Sequence, residues 1–117
     1  MLEEMKITTA RNKLDKLWSL KIREKEYCEV CGKIGNNPHH VVGRRNMTLR
    51  FDLRNGVLLC PLHHTFGIQS AHQDPLGFVN WFKNNRPKDL KYLMKQRNII
   101  TKRKLPDYLE LIEELKK

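Results

Sequence analysis

At 117 residues the chain fits a single domain with a modest core. With 39% hydrophobic and 31% charged residues and a net charge of +10, it holds no apolar run near the roughly eighteen residues a bilayer span requires. The first twenty residues are broken throughout by charge (Glu3, Glu4, Lys6, Arg11, Lys13, Asp15, Lys16), so neither a secretory leader nor a membrane location is expected, and the expected compartment is the reducing cytoplasm.

Taken in chain order, Thr8 or Thr9 is expected to cap a helix running to about Glu26, with Leu14, Leu17, Trp18, Leu20 and Ile22 as its apolar stripe. Tyr27 to Gly32 resembles a tight turn that presents two thiols, with Gly32 easing the backbone. Val41-Val42 continues from His39-His40 as a short strand. The stretch from Gly43 to Asn55 is too polar for a long element and reads as a loop. Asn55-Gly56 marks a turn before a second strand at Val57-Leu58-Leu59. A helix is expected from about Pro61, interrupted near Gly67. Further helices should open at Asp74-Pro75, with Phe78, Trp81 and Phe82 on one side, at Pro87, with Leu90, Leu93 and Met94, and at Pro106, with Leu109, Ile112 and Leu115. Both tryptophans are read as core. The class is α+β, in one domain of three parts: an N-terminal helix at 1–26, a metal-bearing centre at 27–74 and a basic helical region at 75–117.

Three cysteines leave one over in any disulfide scheme, and disulfides are rare in a reducing compartment. Metal ligation accounts for all of them if a histidine completes the set. Cys28 and Cys31 are two residues apart, Cys60 and His63 repeat that spacing, and 28 residues separate the pairs. Such pairs each grip one tetrahedral ion without straining the chain, which predicts a closed, structural zinc site.

Charge is distributed unevenly. Between Lys83 and Lys104 nine basic residues face a single acid, Asp89. A surface of this kind attracts polyanions, because each phosphate contact releases condensed counterions. The expected contacts are Lys83, Arg86, Lys91 and Lys95, joined by the loop arginines Arg44, Arg45, Arg50 and Arg54. Some of the loop arginines have the alternative of pairing with Asp52.

His39 and His40 are adjacent, and on extended backbone their side chains point to opposite faces. One can then hold an ion while the other meets substrate. Fourteen residues follow before Asn55, and eight more before His64. With these spacings and the flanking ligand pairs, residues 27 to 82 resemble the HNH endonuclease family, in particular the members encoded by tailed phages and prophages. His40, Asn55 and His64 stand at the three signature positions. The runs from His39 to Arg45, from Asn55 to Cys60 and from Asp74-Pro75 to Trp81-Phe82 carry the likeness.

The resemblance implies a ββα-metal finger: two antiparallel strands and a helix around one catalytic divalent ion such as magnesium or manganese. His40 would be the general base, Asn55 would tie the loop through backbone hydrogen bonds, and His39 and His64 would hold the ion. Many relatives place another ligand one helical turn after the last signature histidine; here that residue is Ile68, which cannot bind metal. His72 is expected to take its place. The implied reaction is hydrolysis of a DNA phosphodiester to a 5′-phosphate and a 3′-hydroxyl, on duplex, nicked or branched DNA, by a monomer or weak homodimer. The phage likeness makes packaging or recombination proteins the expected protein partners. Two other readings are a non-catalytic zinc-finger DNA-binding protein, which needs no histidine at position 40, and an RNA-directed nuclease on the same fold.

Overall fold

The computed structural model describes residues 2–117, with side chains from Lys6 onward. Helix α1 (Leu2–Arg23) is followed by strands β1 (Asn37–His40) and β2 (Gly56–Leu59), and then by helices α2 (Pro75–Asn85), α3 (Pro87–Gln96) and α4 (Leu105–Lys116). The result is a small α+β domain with one two-stranded antiparallel sheet. Among the described residues no helix is long and apolar enough to cross a membrane.

Ala10, Leu14, Trp18 and Ile22 recur every four residues on α1 and form its buried face. That face packs against Tyr108, Ile112 and Leu115 of α4 and receives Phe51 and Leu58 from the centre of the chain. Leu20 lies off this stripe and is exposed, as are Met94 on α3 and Leu109 on α4, so these three of the expected apolar positions face outward. The helix starts well before Thr8 and Thr9, which sit inside it rather than capping it, and it ends at Arg23 rather than Glu26. Its chain then reverses through Glu26 in the left-handed region (φ 66°).

Antiparallel pairing sets His39 opposite Val57 and His40 opposite Gly56. The strand therefore carries the two histidines themselves, and Val41-Val42, expected as the strand, follow its end. Strand periodicity divides the sheet. Gly56 and Leu58 face α1, whereas Val57 and Leu59 face a second core with Cys28, Leu49, Cys60, Ala71, Phe78, Phe82 and Leu93. A Cβ on Gly56 would collide with Ile22 and with Trp18, so the missing side chain is what lets α1 approach the sheet here.

Asn55 closes the long connection between the strands. It is fully buried at the end of a 3₁₀ turn (Leu53–Asn55) that Asp52 caps. Its Oδ1 accepts from Val42 N at 2.7 Å, and its Nδ2 donates to Val42 O and Leu49 O at 2.9 and 3.2 Å. Burial pushes the Asp52 carboxyl up, but hydrogen bonds from Arg54 and Tyr92 outweigh it and hold the group below its ordinary range.

Beyond Pro61 the chain makes a five-residue π-helical turn (Leu62–Phe66) where an α-helix is expected, and Gly67 ends it. Helix α2 starts as its sequence predicts, with Pro75 in the first turn and Asp74 accepting from Gly77 N at 3.1 Å.

Candidate metal centres and the histidine face

Cys28, Cys31, Cys60 and His63 meet between the knuckle after α1 and the end of β2, with one ligand atom from each all within 4.8 Å of one another. The knuckle is shaped by Gly32 at φ 75° and by its N–H, which donates to Cys28 O at 2.8 Å. Burial raises the Cys28 thiol, but backbone N–H groups of Cys60, Cys31 and Val30 more than offset it and lower its pKa. Those amides favour the thiolate that a metal requires.

Spacing in this group suits a tetrahedral ion. With bonds of about 2.3 Å to sulfur and about 2.0 Å to nitrogen, zinc sets its ligands roughly 3.5–3.8 Å apart. Cys31 Sγ and Cys60 Sγ are 3.8 Å apart, Cys28 Sγ and His63 Nδ1 3.9 Å, and Cys60 Sγ and His63 Nδ1 3.2 Å. The cluster could hold a metal ion such as zinc.

His39, His64 and His72 form a second cluster, again with ligand atoms within 4.8 Å. Strand β1 supplies His39, and the π-helical turn supplies His64. The eight-residue step to His72 is closed by the chain folding back on that turn. Ala71 N donates to His63 O at 2.8 Å, and His72 N to His64 O at 3.1 Å. The rings of His39 and His72 stand edge to face at 4.9 Å, as do those of His64 and His72 at 4.5 Å, and the Nε2 atoms of the latter pair are 3.0 Å apart. Thr65 Oγ1 engages the other nitrogen of His64 at 3.1 Å, leaving Nε2 to face the cluster. Phe78 backs His39 at 4.9 Å.

Burial first, and then the neighbouring imidazoles, push His39 down to about 4. Burial and His72 likewise lower His64. Both rings are therefore neutral near pH 7, with lone pairs free to ligate. Three imidazole nitrogens without a carboxylate make a donor set suited to zinc, nickel, iron or copper more than to magnesium.

His40 faces the other way. Its ring stacks on Trp18 at 3.9 Å with planes 7° apart. Its Nε2 lies 3.0 Å from Arg50 O. A carbonyl can only accept, so Nε2 carries the proton, and Nδ1 is the nitrogen left with a lone pair. The ring is half-buried. That burial lowers its pKa, and the Arg44 and Arg50 charges add to the effect against the opposing Arg50 carbonyl and Asp15.

The basic residues divide into two groups. Arg50 is held by Asp15 at 3.0 and 2.6 Å, with its side chain 16% exposed. Arg86, 17% exposed, donates to Glu29, Asp89, Gly56 O and Arg54 O. These two side chains are internal ties. Arg44 is paired with Asp15, and Arg54 with Asp52 while lying 3.4 Å over the Tyr92 ring, yet both stay largely exposed. Arg45, Lys83, Lys91 and Lys95 are exposed, and none of them makes an ion pair with another described residue. The tie between Glu29 and Arg86, 57 residues apart, leaves no signal in the sequence. No protein-family model, no curated protein and no solved structure matches the chain.

Proposed function

We propose that this protein is a metal-dependent endonuclease of the HNH type, hydrolysing DNA phosphodiesters, with zinc at Cys28, Cys31, Cys60 and His63 as a structural staple. The observation that carries the reading is the opposite facing of two adjacent imidazoles: His39 joins His64 and His72, whereas His40 turns to Trp18 and Arg50. The three-histidine cluster is separate from the cysteine cluster, so a structural zinc staple does not itself call for it.

His39, His64 and His72 would bind the catalytic ion through ring nitrogen. Once bound, a divalent ion supplies Lewis-acid charge to the scissile phosphate and the departing 3′-oxygen. His40 accepts a proton from water at Nδ1 while Arg50 O keeps Nε2–H in place, so the attacking oxygen is activated on the side of the strand opposite the ligands. Burial favours the neutral ring, which is the form able to take that proton. The P–O3′ bond breaks, the departing 3′-oxygen takes a proton from solvent water to become a hydroxyl, and the 5′-phosphate stays on the other fragment. Arg45, Lys83, Lys91 and Lys95 are among the exposed cations that would meet flanking phosphates.

Nicking of supercoiled plasmid tests this reading. Wild type should nick in the presence of a transition-metal ion, and His40→Ala should not, with zinc content equal in both. Equal activity in the two proteins would identify a contaminant and end the proposal.

A further inference from the structure

A general base on a short strand needs a fixed tautomer and a fixed ring plane. The first rests on Arg50 O, which lies in the irregular connection between the strands. A carbonyl there keeps its direction only if its residue is anchored. The backbone there is held by Arg50 N–H donating to Asn46 O at 2.9 Å and by Asn55 on the neighbouring Leu49 carbonyl, and the side-chain anchor comes from α1: Asp15 receives Arg50 Nε at 3.0 Å and a terminal guanidinium nitrogen at 2.6 Å, the two-pronged geometry that fixes a guanidinium most firmly. The second requirement is met by the stack on Trp18. Trp18 is itself locked, because its indole N–H donates to Asp52 O at 2.9 Å. Asp15 and Trp18 are three residues apart and so share one face of α1. The absent side chain of Gly56, directly across the sheet from His40, lets that face come close.

We infer that Asp15 and Trp18 are positioning residues for His40, so that α1 completes the active site rather than merely covering the core. The inference rests on the reading of His40 as proton acceptor. Asp15 fixes the tautomer through Arg50, and Trp18 fixes the plane. Both lie outside the stretch of chain that resembles HNH proteins, at residues 27 to 82, so the likeness assigns them nothing. Simple core packing accounts for a buried tryptophan, but it does not call for a carboxylate holding the one residue whose carbonyl receives the imidazole.

The test uses the full chain with zinc retained, and compares Asp15→Asn and Trp18→Leu with Leu14→Ala, a cavity in the same helix face. Two readouts are taken: kcat and KM for plasmid nicking, and the His40 tautomer from long-range ¹⁵N–¹H correlation above the imidazole titration range. Wild type should show Nε2–H. Asp15→Asn and Trp18→Leu should lose kcat by roughly ten- to a hundredfold with KM little changed, the scale on which small misplacements of reacting groups act. Asp15→Asn should also give a mixed tautomer, and Asp15→Glu should recover part of both losses. Leu14→Ala should lower the melting temperature and leave kcat and tautomer as in wild type. The inference is overturned if Asp15→Asn keeps a pure Nε2–H form, or if its kcat falls no further than that of Leu14→Ala. Should wild type cleave nothing, the nuclease reading fails on its own, and the tautomer comparison still decides whether Asp15 positions His40.

Discussion

His64 and His72 stand with their Nε2 atoms 3.0 Å apart, although eight residues separate them in the chain. Two imidazoles reach that distance either by one donating to the other or by sharing an ion, and the edge-to-face approach of His39 supplies a third nitrogen for the second arrangement. Removing the outer partner of a metal ligand commonly costs ten- to a hundredfold in affinity, so losing a ligand itself should cost at least about a hundredfold. His72→Ala is therefore expected to weaken nickel or zinc binding at this site by that factor or more, measured by calorimetry with the cysteine site already loaded. Unchanged affinity would reduce His72 to a hydrogen-bonded surface ring.

Asn55 offers a sharper test of packing. Its amide both accepts from and donates to the backbone at Val42, and it donates again to Leu49 O. Asn55→Ala leaves these buried groups without partners, at a cost of about 1–3 kcal/mol for each group that water cannot reach. A total loss of roughly 2–4 kcal/mol in denaturant unfolding is expected, since the loop can relax in part. Asn55→Asp has the same shape but cannot donate to either carbonyl, so it should be no more stable than the alanine variant. If aspartate is tolerated, the donor half of the amide does not matter and the loop is held by something else.

Sequence reading works here where physics is local. Ligand pairs at two-residue spacing met as expected, because a turn of that length has few shapes. Proline marks the starts of α2 and α3, and Asp74 that of α2, for a similar reason: a missing N–H and a side-chain cap act within one turn. Helix phase was harder. Leu20, Met94 and Leu109 satisfy a loose helical count but miss the buried arc, and Tyr108, which does fall on it, is not among the expected apolar positions. The π-helical turn was unreadable, since its benefit lies in bringing His72 back to His64, a tertiary contact. Long-range ties left no trace either. Asp15 and Arg50 are 35 residues apart, and nothing near Asp15 names its partner. Composition correctly gave a basic surface, but only the fold separates the cations that are spent internally from those that are free.

Acid should weaken the protein through its depressed histidines. His39 has a folded-state pKa of about 4, below the ordinary imidazole value of 6.5, because burial and the adjacent imidazoles disfavour its charge. The unfolded chain therefore binds a proton that the folded chain refuses. The sign follows: this stabilisation is complete above about pH 6.5 and is lost as pH falls toward 4. Chemical denaturation of the zinc-loaded protein without added divalent ion should show stability dropping across that window. His39→Asn removes the linked proton, so its stability should change less with pH over the same range. Parallel curves for the two proteins would mean that His39 is not the group responsible.

Salt dependence should sort the arginines and lysines by what they already hold. Arg45, Lys83, Lys91 and Lys95 are exposed and make no ion pair with another described residue, so each can release a counterion on meeting a phosphate. Replacing any one that contacts duplex DNA by alanine should weaken binding and reduce the slope of log K against log salt by about 0.9. Arg50 and Arg86 should behave differently. Their guanidiniums are tied to Asp15 and to Glu29 with Asp89. Asp15 keeps Arg44 and Glu29 keeps Lys25 when these arginines are removed, but loss of Arg86 leaves Asp89 and the carbonyls of Gly56 and Arg54 without this donor. Arg86→Ala should therefore lower the melting temperature and leave the salt slope of the surviving folded protein as in wild type. Binding titrations across a salt series with melting curves on the same samples separate the two classes. A reduced slope for Arg86→Ala with an unchanged melt would show that this side chain leaves its internal partners to meet nucleic acid.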